Sequence, residues 1–122
     1  MADRRPADRQ GPADFELNNM SPITRIWHGR TKAEDADDYL DFIVETAVAD
    51  HKSVPGNLGV EIWRRIDGDV CHFWTVTKWE SYESISKFAG EDIEKAKYYS
   101  EDRGFLLEFE EKVIHCETFV FS

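Results

Sequence analysis

The chain has little cysteine, no long apolar run and no basic cluster, and each shortage removes a class of protein. Two cysteines in 122 residues, Cys71 and Cys116, cannot form a disulfide framework or a Cys-x2-Cys metal pair, so a reduced, cytoplasmic setting is expected. No apolar stretch approaches the roughly 20 residues that span a bilayer, and MADRRPADRQGPADF lacks the apolar core of a secretory signal. The formal net charge is −10, and the longest basic run after the N-terminal segment is Arg64-Arg65. Nucleic acid and anionic membrane surfaces are therefore not expected as partners. The histidines, His28, His51, His72 and His115, never pair at metal-ligand spacings, so no metal site is expected.

What remains is an aromatic-rich chain of single-domain size, 41% apolar and 13% aromatic, enough for one modest core. Residues 1–19 are rich in Pro, Gly, Asp and Arg without periodicity and read as a flexible tail, with the folded domain spanning 20–122. Met20, directly ahead of the first strand-like run, is a candidate translation start.

Ile23 to Arg30 is rich in β-branched and aromatic residues and predicts a first strand. Thr31-Lys32-Ala33-Glu34 fits a capping box, and Ala36, Tyr39, Leu40, Ile43, Val44, Ala47 and Val48 keep helical spacing. The acidic run Glu34 to Asp41 suits that helix's N-terminus as a solvated, dipole-compensating face. Leu58 to Trp79 holds three of the four tryptophans in two runs meeting at Asp67-Gly68, a hairpin signal. A two-residue loop of Asp67-Gly68 sets Trp63 opposite His72 and Glu61 opposite Trp74. One face then carries Glu61, Trp63, Arg65, Val70, His72 and Trp74, and the other Val60, Ile62, Arg64, Cys71, Phe73 and Thr75. Neither face is plainly polar, so both need cover. Ser81 can cap a second helix with Ile85, Phe88 and Ala89 on its apolar face. Gly90 interrupts that helix and Ile93 to Tyr99 can continue it, followed by a short helical piece over Asp102 to Phe109. Val113 to Phe121 reads as a last strand.

The order is βαββαβ, an α+β ferredoxin-like arrangement with an antiparallel sheet and helices on one face. The bare aromatic face predicts a homodimer joined sheet to sheet.

ITRIWHGRT, a capped helix, VPGNLGVEIWRR, a strand ending TKWES and a helix with FAGED together resemble the antibiotic biosynthesis monooxygenase-like domains of the dimeric α/β-barrel superfamily. The resemblance covers about Pro22 to Val120. It implies a homodimeric barrel and O2-dependent oxidation of polyketide-type or quinone-like aromatics without metal or cofactor, in a pocket between sheet and helices. Many members have a histidine on the second helix where this chain has Phe88. The haem-degrading branch's asparagine, tryptophan and histidine fall on Trp27, Phe88 and Tyr98, so haem degradation is disfavoured.

The residues themselves offer His28 and His72, on neighbouring strands, as acid-base candidates that could deprotonate a bound phenol; ring packing with one satisfied hydrogen bond is the plainer alternative. Trp27, Trp63, Trp74, Phe88 and Tyr98 are the candidate lining of a slot for a planar aromatic ligand, set against core or dimer packing. This set draws on both sheet faces, so some members belong to the dimer seam. Glu61 is expected to pair with Arg65, and Cys71 and Cys116 to be small buried apolar residues too far apart to bond. The competing function is a non-enzymatic ligand-binding or stress-associated dimeric barrel.

Overall fold

The computed structural model describes residues 21–121; the tail and the start expected at Met20 lie outside the described residues. Four antiparallel strands, β1 (Ile23–Lys32), β2 (Asn57–Asp67), β3 (Val70–Trp79) and β4 (Ile114–Glu117), form one sheet in the order β2-β3-β1-β4. Between β1 and β2 runs a helical stretch made of a 3-10 turn (Ala33–Asp35), α1 (Ala36–Ile43), a π segment (Val44–Val48) and α2 (Ala49–Lys52). After β3 comes α3 (Tyr82–Ala89), then a 3-10 turn at Ser100–Gly104. This is the expected ferredoxin-like α+β architecture. Among the described residues, no helix is long and apolar enough to cross a membrane.

The β2–β3 hairpin turns through Gly68-Asp69, not Asp67-Gly68. Asp67 pairs with Val70, Arg65 with His72 and Trp63 with Trp74, and Gly68 takes the positive φ of 66° at the first loop position. Moving the loop by one residue shifts the pairing by two, so every predicted partner changes but no side chain changes face. Instead of meeting Arg65, Glu61 accepts the Trp63 indole N–H at 2.9 Å.

Other local expectations yield to tertiary pairing. Thr31 does not cap the first helix: β1 runs on to Lys32, Thr31 pairs with Cys71, and its hydroxyl donates to the Lys32 carbonyl. Acidic side chains serve that helix start, with Glu34, Asp35, Asp37 and Asp38 in its opening turns. Ile93 to Tyr99 is not helical. Lys95 bridges to Lys112, and Ala96 N–H and Val113 N–H donate to the carbonyls of Glu111 and Glu94. The last helical piece closes at Gly104, and β4 has only four residues. Both cysteines are free, but only Cys71 is buried; Cys116 is exposed on the edge strand.

The two recognisable loop motifs meet in space. Ser81 caps α3 by accepting the Ser84 N–H at 3.1 Å, and Glu80 N–H donates to the Gly56 carbonyl at 2.9 Å. Gly56 has φ 95° and lies against Ser84, where a Cβ would overlap the serine side chain.

Helices cover the sheet face bearing Cys71, Phe73, Thr75, Thr77 and Trp79. One core cluster joins Tyr39, Ile43 and Ala47 to Cys71, Phe73 and Leu106. A second joins Ile23, Trp79, Ile85 and Phe88.

Candidate active site between sheet and helices

Strand periodicity divides β1. Ile23, Arg25, Trp27 and Gly29 face the helices, while Thr24, Ile26, His28 and Arg30 face the other way. On the helix side, between the two core clusters, lies a cleft of about 40 Å³, room for a few water molecules or one inserted group. Its walls are Trp27, Tyr39, Ile43, Ala47, Phe88 and Tyr99, and its polar groups come from Arg25, His51, Thr75, Thr77, Lys97 and Asp102.

Local structure places each of these. The Trp27 indole lies against Gly29, whose missing Cβ leaves room for the ring. Tyr39, Ile43, Ala47 and His51 follow one another four residues apart along the helical stretch, and the π segment sits within this run. His51 Nδ1–H donates to the Ala47 carbonyl at 2.6 Å, and its ring stacks on Phe88 with centroids 4.0 Å apart. Burial pushes its pKa down to about 4, so at neutral pH the imidazole is uncharged and Nε2 keeps its lone pair.

Asp102 accepts from the Tyr39 hydroxyl at 3.0 Å and the Tyr99 N–H at 2.7 Å. Burial raises its pKa, and burial beside Asp102 raises that of Tyr39. The Tyr99 hydroxyl donates to Asp50, which also holds Lys97 at 3.0 Å. Desolvation works against the Asp50 charge, but the bonds from Tyr99 and Lys97 keep its pKa below the usual range.

The seven residues expected to form or serve a pocket fall into two groups. Trp27 and Phe88 line the cleft. Tyr98 stands behind Trp27, accepting its indole N–H at 3.3 Å and donating to the Glu110 carbonyl at 2.6 Å. His28, His72, Trp63 and Trp74 are on the opposite sheet face, away from the helices.

There His28 and His72 do meet, with Nε2 and Nδ1 2.9 Å apart, and His28 Nδ1 lies 2.6 Å from Glu110 Oε2. With the carboxylate accepting from His28 Nδ1–H, His28 Nε2 accepts from His72 Nδ1–H and His72 Nε2 is left open. Both rings pack on Trp74, at 5.2 and 5.7 Å.

Arg25, Tyr39, His51, Lys97 and Asp102 were missed in the sequence, whereas Tyr99 is legible there, beside Tyr98, as a phenolic donor at a pocket mouth. Two signals were available. Arg25 shares strand parity with Trp27, and His51 extends the Tyr39-Ile43-Ala47 row by one more step of four.

No family model matches the chain, and no curated protein matches it. Solved structures do. A conserved protein from Methanosarcina mazei Go1 superimposes with TM-score 0.58 at 9% identity, over 85% of this chain and 99% of that one. The "Putative antibiotic biosynthesis monooxygenase from Nitrosomonas europaea" does so with TM-score 0.57 at 12% identity, over 81% and 90%. PA3566 from Pseudomonas aeruginosa gives 0.54 at 16% identity, over 82% and 96%. At these identities the likeness speaks for the fold, and the chain has an antibiotic biosynthesis monooxygenase-like, ferredoxin-type α+β fold.

Proposed function

We propose that the protein is a cofactor-independent monooxygenase acting with O2 on a small aromatic, polyketide- or quinone-like substrate bound in the helix-side cleft. The observation that carries this reading is the cleft itself, where the rings of Trp27, Tyr39, Phe88 and Tyr99 surround a neutral His51. Rings on the walls hold a planar substrate and exclude water from it. His51 Nε2 accepts the proton of a phenolic or activated methylene group, leaving an electron-rich anion. That anion supplies the electrons that reduce O2: a C–O bond forms, one oxygen atom remains as a ring carbonyl and the other leaves as water.

O2 uptake with hydroquinones and other single-ring phenols tests this. Wild type is expected to consume O2 above the buffer rate. His51→Leu should lose about 10²-fold or more, the usual contribution of a positioned base, while His72→Ala keeps its rate. No uptake with any compound, or a His51→Leu rate equal to wild type, sinks the enzyme reading in favour of ligand binding without turnover. Loss in His72→Ala alone would move the chemistry to the Glu110–His28–His72 chain.

We also propose that two copies close over the outer sheet face, where Trp63 is 49% exposed beside Trp74 and the edge residue Ile114 is 63% exposed. Sedimentation should give twice the 14.2 kDa chain mass, and Trp74→Glu should return it to one. A wild type that sediments as a single chain at micromolar concentration removes the dimer.

A further inference from the structure

We infer that the cleft takes its aromatic ligand as an anion, a single ring bearing one carboxylate or phenolate oxygen, and that Arg25 is the group that holds it. This rests on the reading of the cleft as a ligand site.

Arg25 is 3% exposed, and a buried guanidinium normally comes with a carboxylate, because an unpaired buried charge is costly. The chain has 25 acidic residues to offer. Four other described cations use them: Arg30 pairs with Glu108, Arg64 with Asp37, Lys97 with Asp50 and Lys112 with Glu94. Among the described residues, Arg25 has none. Nη1 donates to the Ile93 carbonyl and, at 3.3 Å, to His115 Nε2; Nη2 donates to the Lys95 carbonyl at 3.2 Å. Every acceptor is neutral. Three of the roughly five N–H donors of a guanidinium are used, and Nε–H is among those left over. Burial pushes the Arg25 pKa down to about 10, which still leaves it charged at neutral pH.

The rest of the cleft matches a ring with one negative end. The Arg25 guanidinium lies 5.7 Å from the centre of the Phe88 ring, and the Lys97 ammonium lies 4.4 Å from it. His51, stacked on the same ring, is uncharged and does not compete for the anion. Asp102, the carboxylate on the cleft lining, is already committed to Tyr39 and the Tyr99 N–H. An anion entering beside Phe88 therefore meets the Arg25 charge, which has no counter-ion among the described residues, next to a Lys97 already held by Asp50. A guanidinium offers a carboxylate directional donors, which distinguishes it from a point charge. The small volume limits the ligand to one ring.

The test is titration of the full chain, by calorimetry and by protein NMR shifts, with benzoate and 4-nitrophenolate against the neutral isosteres benzamide and nitrobenzene. Wild type should bind each anion at least about tenfold more tightly than its isostere, a difference of roughly 1.4 kcal/mol, with shifts at cleft residues. Arg25→Gln should erase the preference, and Arg25→Lys should restore part of it. Equal binding of benzoate and benzamide by wild type overturns the inference, whatever the variants do. So does a folded Arg25→Gln that keeps the preference, since Arg25 would then only tie down the Ile93–Lys95 segment. Anion preference without O2 uptake supports this inference while removing the monooxygenase reading; uptake on neutral phenols without anion preference does the reverse.

Discussion

Trp79→Ala is expected to cost about 3–5 kcal/mol of folding stability, the range for losing a fully packed aromatic side chain. Trp79 ends β3 with no exposed surface and packs with Ile23, Ile85 and Phe88 in the second core cluster. Its indole N–H donates to Thr77 Oγ1 at 2.8 Å, and Thr77 donates to the Arg25 carbonyl at 3.3 Å. Alanine thus leaves a void and also removes the donor from a buried hydroxyl, so two costs fall on one site. Trp79→Phe keeps most of the ring volume and should lie between the two. Urea denaturation followed by circular dichroism measures both. A loss below about 1 kcal/mol for alanine would mean that the cluster collapses into the gap, against the close packing assumed for it.

The second large effect is pH-dependent and belongs to His51. Its folded pKa of about 4 lies below the unfolded value near 6.5, so between those values the unfolded chain binds a proton that the native chain refuses. Stability must then rise with pH across that window and fall on acidification through it. A difference of roughly 2.5 units at 1.36 kcal/mol each amounts to about 3 kcal/mol lost by pH 4. His51 is 6% exposed, so solvent does little to screen it. Two carboxylates titrate nearby. Asp50, held below its usual pKa, adds to the acid loss, whereas Asp102, raised by burial, opposes it. Both remain in His51→Leu, and subtracting its stability from that of wild type isolates the histidine. Urea midpoints at pH 7 and near pH 4 should converge between the two proteins as the pH falls. A constant offset would mean that His51 takes up its proton in the native cleft as readily as in the unfolded chain, against the desolvation argued for it.

Element order and sheet class were legible because they rest on period and punctuation. Alternation in Leu58 to Trp79, helical spacing from Ala36 to Val48 and the cap at Ser81 all act locally. The hairpin shows how tolerant this information is: moving the loop by one residue changed each cross-strand pair but preserved both faces. Sequence could not decide which face the helices would choose, because both carry large apolar side chains. That choice sends Trp27 and Phe88 into the cleft and leaves His28, His72, Trp63 and Trp74 outside it. The Ile93 to Tyr99 segment was misread for a different reason. Its apolar spacing suits a helix, but pairing with residues 111–113 satisfies its backbone and wins. Arg25 was illegible as a cleft residue because its importance lies in what is not beside it, which only the folded neighbourhood reveals.

Strand β1 is a wall shared by two chemically different rooms. Arg25 and Trp27 serve one side, and His28 and Arg30 the other, separated only by the alternation of the backbone. A one-residue deletion ahead of Trp27 that kept the ladder in place would trade the occupants, sending the imidazole inward and the indole out. The strand can therefore accept point changes on either side independently, yet insertions and deletions would strike both at once.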